Sequence, residues 1–221
     1  MRVVVPFAAD RPKTRLAGVL APDERVAFSQ AMLADVLDAV LEAGHDPEVL
    51  ATTPLGCSSP ADPVASVPVS VDDRALTPAV NAVLDELSEP GEPDEPIAVV
   101  MADLALATPA ALSRLFDADG GVVLVPGRGG GTNAVLSRHP EFRVDYHGTS
   151  YLDHRSRARA IGASVETVDS FRLVTDIDEA ADLPEVLLHA DNRAEQWLRE
   201  AGFSPAVTDG RVGIERSDDA P

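Results

Sequence analysis

The chain has 221 residues, 45% of them hydrophobic, which is enough for one full-sized domain with a buried core. Its 37 acidic and 18 basic residues give a formal net charge of −19, which excludes a general affinity for nucleic acid or anionic membranes. Aromatic residues make up 4% and Cys57 is the one cysteine, which excludes base-stacking platforms, a disulfide framework and a cysteine zinc cluster. No signal peptide and no membrane-spanning run is evident, so a cytoplasmic protein is expected.

Apolar runs alternate along the chain with segments whose apolar residues recur at helical spacing. Strands are predicted at residues 3–7, 47–53, 67–71, 97–101, 121–125, 163–168 and 172–178. Helices are predicted at residues 22–44, 77–87, 108–116 and 150–161, with two short helices between 179 and 201 that separate near Pro184 or His189. Thr77 and Thr108, each followed by proline, are expected to cap their helices.

This alternation indicates an α/β fold with a mainly parallel sheet. No internal repeat and no second core are evident, so residues 1–203 are expected to form a single domain. A Pro/Ser-rich connection at 54–68 and an acidic loop at 88–96 join predicted elements. Residues 204–221 are polar and are predicted to form a flexible C-terminal tail.

Four unusual segments fall at the carboxyl ends of predicted strands. They are RPKTRLAG (11–18), MADLAL (101–106), GRGGGTN (127–133) and DID (176–178). Ligands of open α/β sheets bind beyond the carboxyl ends of the strands, so these segments are expected to meet at one rim of the sheet.

Three aspartates in these segments predict a metal site. Asp176 and Asp178 are one residue apart, so in extended chain both carboxylates face the same way and repel unless a cation intervenes. Asp103 follows a fully apolar strand. Taken singly, Asp103 is equally well explained as a turn residue, and the pair as an Asx turn with an N-cap. Together they predict a Mg²⁺ site that also uses substrate phosphates.

Basic residues near the same rim predict phosphate binding. Lys13, the only lysine of the chain, lies with Arg15 in the loop after the first strand. Ammonium and guanidinium groups bind phosphate in complementary ways, and an acidic chain needs a local positive site for an anionic substrate. Lys13, Arg15 and Arg128 would supply that site; a solvated loop pair is the alternative.

The glycine run predicts a close approach of the backbone to a ligand, since glycines bury no side chain and lose much chain entropy on folding. Exposed amides there can form an anion nest, beside a hydroxyl and a side-chain amide. The residues concerned are Gly129, Gly130, Gly131, Thr132 and Asn133. A flexible surface turn is the alternative.

The start of the helix at 150–161 is a second candidate anion site. Gly148 precedes it and Ser150 supplies a hydroxyl at its N-terminus. An ordinary N-cap explains Ser150 equally well. His154, one turn into the helix, is expected to be structural.

Five features in this order resemble the 2-phospho-L-lactate guanylyltransferases of coenzyme F420 biosynthesis. They are KTRLA (13–17), MADL (101–104), RGGGTNAVL (128–136), the spacing of Ser150 and His154, and TDIDEAADL (175–183). The resemblance implies a Rossmann-like, glycosyltransferase-A-type three-layer sandwich. It also implies GMP transfer from GTP to a three-carbon phospho-acid, 2-phospho-L-lactate or phosphoenolpyruvate, with release of pyrophosphate, and a homodimer.

The resemblance also implies a role for each matching residue. Lys13 and Arg15 match the basic loop that meets the nucleotide phosphates, and with Asp103 they are assigned to catalysis. Thr132 and Ser150 match positions that hold the acceptor's carboxylate. The metal-binding acids correspond to Asp103, Asp176 and Asp178.

Three positions depart from the family pattern, of which Ala105, where proline is common, is a minor change. Gly127 stands where aspartate is usual, and His147 stands where glycine is usual, with Gly148 one step late. Acids outnumber bases about two to one and arginine almost replaces lysine, so a haloarchaeal source and a requirement for molar salt are expected.

Two other functions are compatible with the sequence. Nucleotidyltransferases that act on molybdopterin or sugar phosphates usually carry G-x-G-x-R-x-G after the first strand, where this chain has AADRPKTRLAG. A catalytically silent nucleotide-binding domain would bind GTP without Mg²⁺ and would release no pyrophosphate.

Overall fold

The computed structural model describes residues 1–10, 12–56, 63–88, 95–208 and 210–217. Within these ranges the strands of the main sheet are β1 (Arg2–Phe7), β2 (Asp46–Ala51), β3 (Val69–Val71), β4 (Ile97–Val100), β5 (Val122–Pro126), β6 (Thr132–Ser137) and β7 (Val165–Thr167). A separate hairpin consists of β8 (Phe203–Thr208) and β9 (Arg211–Arg216). The helices are α1 (Pro22–Glu42), α2 (Leu76–Asp85), α3 (Pro109–Phe116), α4 (Ser150–Ala160), α5 (Phe171–Val174), α6 (Leu183–His189) and α7 (Arg193–Glu200). Arg11, Cys57, most of the predicted acidic loop and the last four residues lie outside the described ranges.

The main sheet has the strand order β3-β2-β1-β4-β6-β5-β7, and every pairing is parallel except those of β6. The predicted α/β fold with a mainly parallel sheet is therefore confirmed. The sequence did not predict β6. The glycine run forms a tight turn, in which the amide of Gly127 donates to the carbonyl oxygen of Gly131 (2.8 Å) and Gly130 has φ +86°. This turn reverses the chain, so β6 runs back between β5 and β4.

Helices cover both faces of the sheet, which gives the expected three layers. Side chains of α1 and α3 pack on one face against Val5 and Val100, and those of α2 and α4 pack on the other face against Val4 and Val99. Because both faces are covered, the central strands are buried along nearly their whole length and are continuously apolar. None of the described helices has the length and apolar character needed to cross a membrane.

Two local predictions about helix termini had different outcomes. Thr108 caps α3, and its side chain accepts a hydrogen bond from the amide of Ala111 (3.3 Å), as predicted. The prediction for Thr77 was wrong, because α2 is capped at Ala75. The hydroxyl of Thr77 instead accepts a hydrogen bond from the amide of Tyr146 (2.9 Å), a tertiary contact that replaces the local one.

The strand predicted at 172–178 was wrong. The chain forms α5 there, because the amides of Leu173 and Val174 both donate back to the carbonyl oxygen of Ser170. Leu173, Thr175 and Ile177 are buried at alternate positions, which is the spacing that suggested a strand, but the chain at 172–178 pairs with no described strand of the sheet. The break between the two short helices is confirmed at His189, the last residue of α6.

The flexible tail predicted from Ser204 was also wrong, because β8 and β9 form a hairpin that packs on the helical layer. Phe203 is buried in a cluster with residues of α6 and α7, and Ile214 packs against the same cluster. The guanidinium of Arg216 lies 4.9 Å from the ring centroid of Phe203 and pairs with Glu24 of α1. Alternating apolar residues in the two segments were the sequence pattern that could have predicted the hairpin. Regular structure continues to Arg216, and the described residues continue to 217.

A buried carboxylate joins α1 to the start of α7. Asp35 accepts hydrogen bonds from the amides of Arg193 (3.0 Å) and Ala194 (2.9 Å), two groups that have no partner within their own helix. Burial raises the pKa of Asp35 to about 6, since the loss of hydration outweighs these two hydrogen bonds. Asp38, about one turn later in α1 and more exposed, pairs with the side chain of Arg193.

We expect Asp35→Ala to lower the free energy of unfolding by about 2–3 kcal/mol, because it leaves two amides of α7 without an acceptor. Urea unfolding at fixed molar salt would measure this change. The matched variant Asp38→Ala removes only a surface ion pair and should cost less than about 1 kcal/mol. Equal losses in the two variants would contradict the proposed link between α1 and α7.

Candidate functional site

Lys13 lies at the centre of the rim formed by the carboxyl ends of β1 and β4. Its Nζ is 2.6 Å from Oδ2 of Asp103 and 2.7 Å from Oδ1 of Asp178. Burial lowers the pKa of Lys13, but the charges of the two aspartates and their hydrogen bonds outweigh it, so the pKa is raised above its ordinary value. The side chain is therefore a permanent ammonium ion held between two carboxylates.

The backbone of Lys13 is strained. Its φ of 51° and ψ of 46° are left-handed, and among the described residues it alone combines a positive φ with a side chain other than that of glycine. Such a conformation costs about 1–2 kcal/mol. The ion pairs and the short turn that follows, where the amide of Leu16 donates to the carbonyl oxygen of Lys13 (2.9 Å), hold the residue in place.

The segment after α5 brings its two aspartates to Asp103. The amide of Ile177 donates to the carbonyl oxygen of Asp103 (3.2 Å), and the Ile177 side chain is fully buried. Asp176 and Asp178, which flank it, are only partly buried. Asp182 supports the segment, because one of its oxygens accepts the amide of Asp178 (3.0 Å).

Asp176 is held by Asn133 of β6. The Nδ2 of Asn133 donates to Oδ1 of Asp176 (3.2 Å) and to the carbonyl oxygen of Leu173 (3.0 Å). Burial raises the pKa of Asp176, and the negative charges of Asp103 and Asp178 add to this effect against the hydrogen bond from Asn133. A Cβ on Gly127 would lie 2.4 Å from Oδ1 of Asn133, so glycine at this position leaves room for the amide.

The donor set fits a hard divalent cation. Oδ1 of Asp103 is buried and has no hydrogen-bond partner among the described residues. The three aspartates are near enough for their charges to repel, and carboxylate oxygens are the ligands that Mg²⁺ prefers. In the described part of the chain, however, no group of three His, Cys, Asp or Glu side chains is arranged to hold a metal ion, and the Lys13 ammonium lies between two of the three aspartates.

A cavity of about 490 Å³ opens at this rim, a volume suited to a small-molecule ligand. Lys13, Arg15, Asp103 and Asp178 line its polar part, and Arg15 also approaches Asp178 (3.5 Å). Its other walls come from the loops after β2 and β3 and from the first turns of α2. The sequence did not identify the polar residues of these walls, although they follow predicted strands at the same rim: Thr52, Asp72 and Arg74.

The glycine run, which was expected at the same rim of the sheet, does not line this cavity. The amides of Gly127, Arg128 and Gly130 are already bonded to backbone carbonyls. Gly129 and Gly131 keep amides without a backbone acceptor among the described residues. The Arg128 side chain lies on the surface, 3.5 Å from a carboxylate oxygen of Asp182.

A buried hydroxyl pair lies where the glycine turn meets α4. Oγ of Ser150 is 3.3 Å from Oγ1 of Thr132, and Nδ1 of His154 is 2.9 Å from the same oxygen. From the sequence, His154 was predicted to have only a structural role. Gly148, with φ +46°, and the exposed His147 lie just before this helix.

Comparisons with known proteins identify the family of the chain. Residues 1–216 match the family model described as "Guanylyl transferase CofC like". The 2-phospho-L-lactate guanylyltransferases of Haloterrigena turkmenica and Halomicrobium mukohataei are 60% and 58% identical to the chain, with 100% and 98% of the chain and 99% and 100% of those proteins covered. A solved structure from Desulfovibrio desulfuricans G20, described as a nucleotide-diphospho-sugar transferase, matches with a TM-score of 0.73 at 14% identity over 90% of this chain and 94% of that one, which supports the fold alone. The chain belongs to the CofC-like guanylyl transferase family.

Proposed function

We propose that the protein transfers GMP from GTP to the phosphate of 2-phospho-L-lactate or phosphoenolpyruvate in coenzyme F420 biosynthesis, with release of pyrophosphate. Membership of the guanylyl transferase family supports this activity. Within the molecule, the observation that carries it is the ammonium of Lys13 between Asp103 and Asp178 at the wall of an open cavity. A cytoplasmic homodimer remains a prediction.

The proposed reaction is an in-line displacement at the α-phosphorus of GTP. An oxygen of the acceptor phosphate forms a bond to that phosphorus, while the bond to the bridging oxygen breaks and its electron pair leaves with pyrophosphate. The acceptor phosphate is already ionised near neutral pH, so the chain needs no general base. Its task is to position two anions and to balance their charge.

Lys13 and Arg15 are the residues we assign to the phosphates of GTP. Lys13 is charged and preorganised, so it can stabilise negative charge that grows on the leaving pyrophosphate without first being ordered. Arg15 is largely exposed beside it and can turn from Asp178 and Glu179 toward a phosphate. Arg128 and the run Gly129–Gly131 are proposed as further phosphate contacts, through the guanidinium and the unbonded amides.

Asp103, Asp176 and Asp178 are the residues that would hold Mg²⁺, and the partnerless Oδ1 of Asp103 supports this assignment. When bound, the ion would offset the repulsion between nucleotide and acceptor and polarise phosphoryl oxygens. Lys13 already pairs with two of these carboxylates, so its ammonium would be shared between them and the nucleotide phosphates.

Thr132, Asn133, Gly148 and Ser150 are proposed to contact the acceptor. Thr132 and Ser150 offer hydroxyls, and the N-terminus of α4 favours an anion. Asn133 points to Asp176 from the neighbouring position of β6, so it links the acceptor side to the carboxylates.

The proposed function predicts which mixtures release pyrophosphate. The protein would be incubated in molar salt with Mg²⁺, each of the four common nucleoside triphosphates, and 2-phospho-L-lactate, phosphoenolpyruvate or 3-phosphoglycerate, with a sugar phosphate and molybdopterin tested in parallel. We expect release only with GTP and one of the first two acids, because turnover needs both anions in place. Release with sugar phosphate or molybdopterin, and with none of the acids, would instead assign the chain to another nucleotidyltransferase activity.

Replacing Lys13 separates its charge from its backbone conformation. Lys13→Gly and Lys13→Ala both remove the ammonium, and each should lower kcat/KM for GTP about 100-fold or more. Glycine adopts the left-handed conformation freely, so Lys13→Gly should be about 1 kcal/mol more stable than Lys13→Ala. Turnover near the wild-type rate in Lys13→Gly would remove the ammonium from the mechanism.

The carboxylates can be tested against a neighbouring acid. Asp103→Asn and Asp178→Asn should each lower turnover more than 100-fold and raise the Mg²⁺ concentration needed for half-maximal activity, because each removes a hard anionic donor. Glu179→Gln, an exposed change in the same segment, should keep both values within about twofold. Unchanged Mg²⁺ dependence in both aspartate variants would refute the metal site.

A further inference from the structure

His154 is fully buried in α4, and each of its ring nitrogens has a partner. Nε2 lies 2.7 Å from the backbone nitrogen of Asp145, and Nδ1 lies 2.9 Å from Oγ1 of Thr132. Nothing in the reaction described above uses this histidine. Its two contacts nevertheless connect the loop before α4 to the first residue of β6.

The partners fix the position of the imidazole proton. A backbone N–H can only donate, so Nε2 must accept from Asp145 with its lone pair. Burial against Phe142 and Tyr146, together with the charge of Arg157, lowers the pKa of His154 to about 4, although Asp145 and Asp153 oppose this shift. The ring is neutral near pH 7, so its one proton is on Nδ1 and is donated to Thr132.

One of the two hydroxyl protons of Thr132 and Ser150 has no hydrogen-bond acceptor among the described residues. Thr132 and Ser150 are 4% and 3% exposed, and the bond between them uses one of their two hydroxyl protons. Nδ1–H of His154 takes a lone pair of Thr132 and cannot accept the other proton. That proton has no acceptor among the described residues, and an unmet buried O–H is unfavourable until an acceptor oxygen arrives.

The surroundings fit an anionic oxygen. The carbonyl of Gly130 accepts the amide of Tyr151 (3.2 Å), which docks the glycine turn on the first turn of the eleven-residue helix α4. Thr149, the residue before α4, makes no side-chain capping bond. The hydroxyl pair therefore lies beside helix-terminal amides that attract negative charge.

We propose that His154 is a positioning residue for the acceptor: its Nδ1–H fixes the Thr132 hydroxyl, so that the remaining O–H of the Thr132–Ser150 pair donates to the carboxylate of the phospho-acid. This inference rests on the proposed function, since it assigns that carboxylate to the hydroxyl pair. Histidine acts here through Thr132 and does not touch the reacting atoms.

Two substitutions divide the contacts of the ring between them. In His154→Asn the amide nitrogen can replace Nδ1 and still donate to Thr132, while the contact with Asp145 is lost. In His154→Gln the longer side chain can place its oxygen at Nε2 and accept from Asp145, while the donor to Thr132 is lost. The pair thus separates positioning of the hydroxyls from anchoring of the loop.

We expect His154→Gln to raise KM for the phospho-acid about tenfold with KM for GTP unchanged, and His154→Asn to keep both values within about threefold. Thr132→Val should raise the acceptor KM similarly, and adding His154→Gln to it should have little further effect. Equal acceptor KM values in the Asn and Gln variants, or a parallel rise in KM for GTP, would overturn the proposal.

A spectroscopic measurement on the wild-type protein covers the case in which the variants do not fold. Nitrogen NMR of labelled histidine should show the Nδ1–H tautomer of one neutral ring, with and without the phospho-acid. An Nε2–H tautomer would overturn the inference. Absence of pyrophosphate release by the wild type would instead remove the proposed function, while the tautomer would still be measurable.

Discussion

The site depends on one ammonium ion held between two carboxylates that come from distant parts of the chain. Asp103 and Asp178 would repel each other at this rim without a cation, and Lys13 supplies it at contact distance. The same contacts keep Lys13 in a left-handed conformation that its side chain disfavours. The same two ion pairs therefore reduce the repulsion between the aspartates and hold the backbone of Lys13 at the mouth of the cavity.

The antiparallel strand β6 connects the carboxylates near Lys13 to the buried hydroxyl pair of Thr132 and Ser150. Successive residues of a strand point to opposite faces, so Thr132 and Asn133 enter different networks from adjacent positions. Asn133 holds Asp176 on one side, and Thr132 meets Ser150 and His154 on the other. Gly127 contributes to this arrangement, because a Cβ at this position would collide with the side-chain amide of Asn133. A shift of β6 would move the carboxylates and the hydroxyls together.

The sequence predicted most of the fold, because apolar runs and helical spacing are local signals. It failed at β6, at 172–178 and at the C-terminal hairpin, where neighbours and not local preference decide the conformation. Thr77 follows the same rule, since Tyr146 takes the hydroxyl that would have capped α2. In the site, residue types at strand ends predicted that Lys13, Asp103 and Asp178 would meet. The rim is divided into a cavity and a separate hydroxyl pair because successive residues of β6 face opposite sides of the sheet. Since the sequence did not predict β6, it could not predict this division.

The two halves of the rim differ in charge in a way that suits the two ends of a phospho-acid. A phosphate monoester is more highly charged than a carboxylate, and Lys13 and Arg15, which we propose as phosphate contacts, line the cavity. The hydroxyl pair is supported by His154, a buried ring that burial keeps neutral near pH 7. A charged histidine there would compete with Lys13 for the phosphate, whereas a neutral donor fixes Thr132 without adding a second centre of positive charge. On a chain of net charge −19, a neutral His154 therefore leaves the positive charge of the proposed site to groups that we assign to phosphates, and it leaves the hydroxyl pair to the singly charged carboxylate.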